Sequence, residues 1–150
     1  MTPPLRALID LDVILDVLQE RQPFYAASAA VLAAAETGRL EGYVAAHGVT
    51  TLHYLLARNV GAIRARATIG DLLSVLEVAA VDGPVIRQAL ALPLADFEDG
   101  VQVAAALAVG ARCVVTRNLA DYRSSPLPAY APAEILPLIL GDDRFGTPDQ

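Results

Sequence analysis

Ala7-Leu8-Ile9-Asp10-Leu11-Asp12-Val13-Ile14-Leu15-Asp16 is the stretch that decides the fold. Leu5 to Asp10 reads as a short buried strand, and Asp12 to Glu20 takes up a helical apolar period. An apolar strand that ends on a carboxylate and passes straight into a helix is the step from which parallel sheets are built. Asp10 is expensive to bury without a partner. A hard divalent cation is one partner, and the alternative is that Asp10 simply caps the following helix. Asp12 is open to the same two readings. Asp16 lies further along the helix and is expected on its solvated face.

Outward from this stretch, short apolar runs keep alternating with helical patterns. Pro23 to Gly38 reads as a helix opened by proline and closed by glycine. Gly42 to Ala46 reads as a strand, Val49 to Arg58 and Ala62 to Leu73 as helices, and Val75 to Val81 as a third strand. Asp82-Gly83-Pro84 starts another helix, and Asp96 to Val109 is a long alanine-rich one closed by Gly110. Arg112 to Thr116 is a fourth strand, Asn118 to Tyr122 a short helical turn, Ala129-Tyr130 a short strand, and Pro132 to Leu140 a last helix. The pattern predicts a three-layer α/β/α sandwich with a central, mainly parallel sheet of four to five strands. Residues 1–140 are expected to form one domain. Residues 141–150 are polar, with two glycines and a proline, and are expected to form a loose tail.

In a sheet of this kind ligands sit beyond the carboxyl ends of the strands, where the winding reverses. Two further groups of polar residues fall at such ends. Asp96-Phe97-Glu98-Asp99 opens the alanine-rich helix. Asp96 and Asp99 would share a helix face, where two like charges need a cation nearby or the helix dipole to support them. Glu98 is expected at the surface. Thr116-Arg117-Asn118-Leu119-Ala120-Asp121 follows the fourth strand and offers a hydroxyl, an amide and a carboxylate, with Asn118 capping the short helix as the plainer reading. Separated acids gathered at one sheet edge suit metal-assisted hydrolysis, in which cations activate water and stabilise the oxygens of an in-line displacement. Mg²⁺ takes a few carboxylates and keeps several waters. His47 and His53 are the only histidines, which gives a histidine-rich zinc site little support.

Composition narrows the function further. The chain has 150 residues, 55% of them hydrophobic and only 19% charged, enough apolar material for a full core and suggestive of a buried homodimer face. The net charge of −6 argues against a tight non-specific nucleic-acid binder but is compatible with a carboxylate metal site. All 11 basic residues are arginine, which excludes a catalytic lysine. Arg58, Arg64, Arg66, Arg117 and Arg123 are candidates for holding phosphate, against ordinary surface charge. Cys113 reads as a small buried strand residue, and one cysteine allows no disulfide framework. The start of the chain shows no signal peptide, and the apolar run Val103 to Ala111 is too short to span a membrane, so a cytoplasmic protein is expected.

Taken together, these segments resemble the PIN-domain family, the group that contains the ribonuclease toxins of VapBC-type toxin–antitoxin pairs. The resemblance covers residues 5–140. Asp10 matches the family's first acid, although the family usually has Asn or Ser where Asp12 stands. Asp99, followed by Gln102-Val103-Ala104-Ala105-Ala106, resembles the acid that opens the alanine-rich helix. Thr116-Arg117-Asn118 with Asp121-Tyr122 is similar to the signature after the fourth strand, and Pro132-Ala133-Glu134 to the closing proline. One position departs: where the family places a glutamate in the helix after the second strand, this chain has Tyr54, a pattern shared by some subgroups. A phenol is a poor Mg²⁺ ligand at neutral pH, and Asp12 or Asp96 are candidates to replace the missing carboxylate.

The resemblance implies an endoribonuclease using Mg²⁺ or Mn²⁺, with Asp10, Asp99 and Asp121 as catalytic metal ligands, Thr116, Asn118 and Arg117 toward the RNA, and Tyr54 near the pocket. It also implies a small antitoxin as partner. A binding or scaffold module of the same fold is the first alternative. A phosphatase of the haloacid dehalogenase type is the second, since Ile9-Asp10-Leu11-Asp12-Val13 is similar to that family's first motif. The absence of lysine and the position of Asp142-Asp143 in the tail count against it.

Overall fold

The computed structural model describes residues 3–141. Five strands, β1 (Leu5–Ile9), β2 (Leu40–Ala45), β3 (Glu77–Ala79), β4 (Cys113–Val115) and β5 (Ala129–Tyr130), form one sheet in the order β3-β2-β1-β4-β5. Every neighbouring pair is parallel. The helices are α1 (Leu11–Leu18), α2 (Tyr25–Glu36), α3 (Ala46–Val60), α4 (Ala62–Leu72), α5 (Gly83–Ala91), α6 (Phe97–Ala108) and α7 (Pro132–Leu140), with a 3₁₀ turn at Leu119–Tyr122.

The layers follow from the two-residue period of the strands. In β1, Ala7 and Ile9 face one side and pack with Val44 of β2, Val13 and Ile14 of α1, Val31 of α2, Leu52 and Leu56 of α3 and Ile135 of α7. Leu8 faces the other side and packs with Tyr43 and Ala45 of β2, Val85 and Ala89 of α5 and Val101, Ala104 and Ala105 of α6. The expected three-layer sandwich is therefore the observed one. The alanines of α6 give that helix a flank of small side chains, which packs against Leu8 and Tyr43 of the sheet.

The boundaries differ locally from the sequence expectations. Pro23 lies in the turn before α2, which starts at Tyr25. The third strand shrinks to Glu77–Ala79, since Val75 and Leu76 belong to the turn that closes α4. Gly42 is needed where it stands: a Cβ there would lie 2.7 Å from Leu76 Cδ2. Cys113 is fully buried, and burial pushes its thiol up to about 12. The expected tail lies outside the described residues beyond Gly141. Among the described residues, no helix is long and apolar enough to cross a membrane.

The topology sets the site. The chain winds from β1 outward through β2 to β3, then returns to the other side of β1 as β4. The winding reverses between β1 and β4, whose carboxyl ends are joined by the Asp10 N–H donating to the Val115 carbonyl at 2.9 Å. Asp10 leaves one strand there and Thr116 leaves the other.

Candidate active site

Four elements deliver polar side chains to this switch point. Asp10 is the N-cap of α1, with extended backbone, and its Oδ1 accepts from the Leu11 N–H at 2.8 Å. The capping alternative is thus realised, and it uses only part of the carboxylate. Oδ1 also accepts from Gln102 Nε2 at 2.8 Å. Oδ2 accepts from the Thr116 hydroxyl at 2.8 Å. The Tyr122 hydroxyl lies 3.3 Å from Asp10 Oδ2 and 3.4 Å from Asp99 Oδ1, between the two acids. Gln102 Nε2 donates to this hydroxyl as well, at 3.0 Å. Neutral donors therefore tie the first acid to α6 and to the loop after β4.

Asp12 sits in the first turn of α1. Its Oδ2 accepts from the Arg117 backbone N–H at 3.1 Å and lies 3.5 Å from the Thr116 hydroxyl. Its Oδ1 is buried with no hydrogen-bond partner. Burial, with the Asp10 charge second, raises the Asp12 carboxyl to about 6, against the lowering pull of the Arg117 N–H. Asp99 stands in the first turn of α6. Burial raises it to about 6 as well, followed by the charges of Asp96, Asp10 and Asp121. Tyr122 is 3% exposed, and burial together with Asp10 and Asp99 drives its phenol upward, so the hydroxyl keeps its proton.

Several sequence expectations change here. Asp16 is not solvated: it is 0% exposed and takes a two-pronged contact from Arg117, with Nε at 2.7 Å and Nη2 at 3.1 Å. The helix turns it inward, where Ser28 of α2 adds a hydroxyl at 3.4 Å. Arg117, whose guanidinium also stacks 3.9 Å over the Phe24 ring, ties the loop after β4 to α1. Asp96 is the N-cap of α6 and accepts from the Glu98 N–H at 2.8 Å, so it does not share a helix face with Asp99, though its charge still acts on it. Asn118 does not cap with its side chain; its backbone N–H donates to the Thr116 hydroxyl at 3.0 Å. Asp121 is exposed at the rim, close enough for its charge to raise Asp99.

Tyr54 is 61% exposed on α3 and meets Arg58 rather than the acids. The start of α3 does approach the site, since His47 Nε2 lies 3.9 Å from Glu98 on α6. His53 Nε2 is buried without a partner. Sequence reasoning passed over Gln102 and Tyr122 as site residues. The signal for Gln102 was there: it is the one amide in an otherwise apolar helical run, one turn after Asp99.

Among the described residues, no three His, Cys, Asp or Glu side chains stand close enough together to hold a metal ion. The donor chemistry still suits a hard cation that keeps most of its waters. Asp10, Asp12 and Asp99 supply carboxylate oxygens, one of them buried and unpartnered, and the neighbouring guanidinium is spent on Asp16.

An open parallel sheet with carboxylates at its switch point defines a class of α/β proteins with an acidic pocket at that edge. The family pattern described as the PIN domain matches residues 6–120, and the chain belongs to the PIN-domain family. Solved structures with the same fold include VapBC2 from Rickettsia felis bound to a DNA fragment from its promoter, at 13% identity and a TM-score of 0.64 over 85% of this chain and 98% of that one. FitAcB from Neisseria gonorrhoeae is 19% identical, with a TM-score of 0.65 over 85% and 98%. VapC20 from Mycobacterium tuberculosis, a sarcin-ricin-loop-cleaving toxin, is 16% identical, with a TM-score of 0.56 over 72% and 86%. No functionally curated protein matches the chain in sequence.

Proposed function

We propose that this PIN domain is an endoribonuclease that hydrolyses RNA phosphodiesters with Mg²⁺ or Mn²⁺. The observation that carries the reading is the buried, unpartnered Asp12 Oδ1 beside Asp10, in a pocket whose nearest guanidinium is paired with Asp16. A charged carboxylate with one buried oxygen left without a donor is costly unless a cation completes it. Asp10 and Asp12 would hold the cation directly, with Asp99 and Asp121 reached through its waters. Asp96, spent on capping, acts through its charge on Asp99. When bound, such a cation supplies a water of lowered pKa and positive charge for the developing phosphate oxyanion.

The chain's own residues do the positioning. Thr116 and Gln102 orient the Asp10 carboxylate, and Tyr122 spaces Asp10 from Asp99 as a neutral donor. Thr116 and the loop through Asn118 border the place where substrate would lie. Two experiments test the reading. Mn²⁺ titration by calorimetry should show binding that Asp10→Asn and Asp12→Asn each weaken. RNA cleavage in Mn²⁺ should fall at least about 100-fold in Asp10→Asn with the fold intact by circular dichroism, in keeping with loss of a charge-stabilising group.

A second reading has its own support: Tyr54 points outward, and α3 supplies no acid to the pocket. A binding module of this fold would bind RNA or a protein without turnover, and cleavage abolished by Asp10→Asn decides against it. Nothing in the site favours a phosphatase. The toxin–antitoxin complexes among the structural relatives motivate a small antitoxin as partner. A homodimer and a cytoplasmic setting belong to the same proposal.

A further inference from the structure

We infer that a second site, on the face formed by the end of α1 and the end of α3, takes a backbone phosphate of single-stranded RNA, with a base stacked on Tyr54. This rests on the ribonuclease reading and extends its substrate path. Gln19, Arg21, Leu55, Arg58 and Asn59 line an open hollow of about 270 Å³. Arg21 is fixed there by its own turn. Glu20 has left-handed backbone (φ 48°), which non-glycine residues seldom adopt. Arg21 donates from Nε at 3.0 Å and from Nη2 at 2.6 Å to Gln19 Oε1, leaving Nη1 free of that contact.

Arg58 comes from the opposite wall, with its guanidinium 5.7 Å over the Tyr54 ring. Neither Arg21 nor Arg58 takes part in the pairs Arg6–Glu41, His47–Glu98 and Arg117–Asp16. In a chain with a net charge of −6, two arginines converging on one hollow without a carboxylate form a local anion site. Arg58 and Tyr54 are one turn apart on α3 and share its outer face. Arginine, planar amides and an exposed aromatic ring are the set that binds a nucleotide through its phosphate and the face of its base. An acidic peptide would use the arginines but has no need of the ring.

Position supports the assignment. Asp10 caps the start of α1 and Gln19 its end, about 13.5 Å away at 1.5 Å per residue. A strand lying across the acid cluster reaches the hollow within a few nucleotides.

The test is fluorescence anisotropy of the full chain with a short fluorescein-labelled single-stranded RNA in chelator, where no turnover occurs. Arg21→Gln/Arg58→Gln should weaken binding at least about tenfold and reduce the slope of log affinity against log salt by about 1.4, the value for two lost single-strand phosphate contacts. Tyr54→Ala should weaken binding about tenfold with the slope unchanged, as loss of stacking does. All these side chains are exposed, so melting curves should match the parent. Unchanged affinity and slope in the double variant would overturn the site, and so would displacement of the RNA from it by polyglutamate at lower concentration than by unlabelled RNA. Arginine-dependent binding without any Mn²⁺-dependent cleavage would instead overturn the hydrolytic reading and leave this site standing.

Discussion

Asp12 and Asp16 sit one turn apart on the same helix, touch the same arginine, and play opposite parts. Asp16 is fully buried, yet the guanidinium of Arg117 meets both its oxygens and Ser28 adds a hydroxyl. Asp12 takes the Arg117 backbone N–H and the more distant Thr116 hydroxyl on one oxygen, keeps the other without a donor, and holds its proton up to about 6. Compensation separates them. A carboxylate matched by a guanidinium, itself stacked on Phe24, locks the loop after β4 to α1. A carboxylate left short of positive charge, beside Asp10 and within reach of solvent, is one that a ligand can complete.

The largest effect should come from breaking the compensated pair. Arg117→Met leaves Asp16 buried with only the Ser28 hydroxyl and should cost about 3 kcal/mol or more in urea unfolding, while the double change Arg117→Met/Asp16→Leu should recover most of that loss. Equal stabilities for the single and double variants would show that Asp16 does not depend on the guanidinium.

A smaller effect should separate the uncompensated acids by pH. Asp12 and Asp99 hold their protons more tightly folded, at about 6, than at the ordinary 3.8. Their ionisation therefore costs stability, fully above about 6 and not at all below 3.8. Metal-free protein should lose stability on their account as the pH rises from 4 to 7, by on the order of 1 kcal/mol per group after solvent screening. Asp12→Asn should therefore be more stable than the parent at pH 7.5 and lose that advantage near pH 4. A constant difference between the two across this range would show that Asp12 titrates no differently in the folded state.

The smallest effect concerns the spacer. Tyr122→Phe removes the hydroxyl between Asp10 and Asp99 and leaves Gln102 on Asp10. It should change stability by about 1 kcal/mol or less and alter Mn²⁺ affinity several-fold by calorimetry. Unaltered affinity would make Tyr122 a packing residue only.

Much of this was legible along the chain. The strand into Asp10, the alanine-rich α6 and the turn after β4 announce themselves by period, small residues and punctuation, because those preferences act over a few neighbours. Asp10, Asp99 and Thr116 could be placed at strand or helix ends for the same reason. Asp16 was misplaced because a carboxylate on an amphipathic helix is ordinarily solvated, and its partner lies 101 residues away. Asp96 was placed on the helix because only its backbone conformation shows it to be a cap. Tyr54 was drawn toward the pocket by its position in the family pattern, whereas the rotation of α3 turns it outward.

The sequence by itself determined the order of strands and helices, the buried face of each, and the acids that stand at their ends, since hydrophobic period and local capping are written into adjacent residues. Only the tertiary structure decided which carboxylate would find a cation and which would not. That depends on Arg117 and Asp16 meeting across the fold, and on the low-dielectric interior that makes such a meeting, or its absence, count for so much.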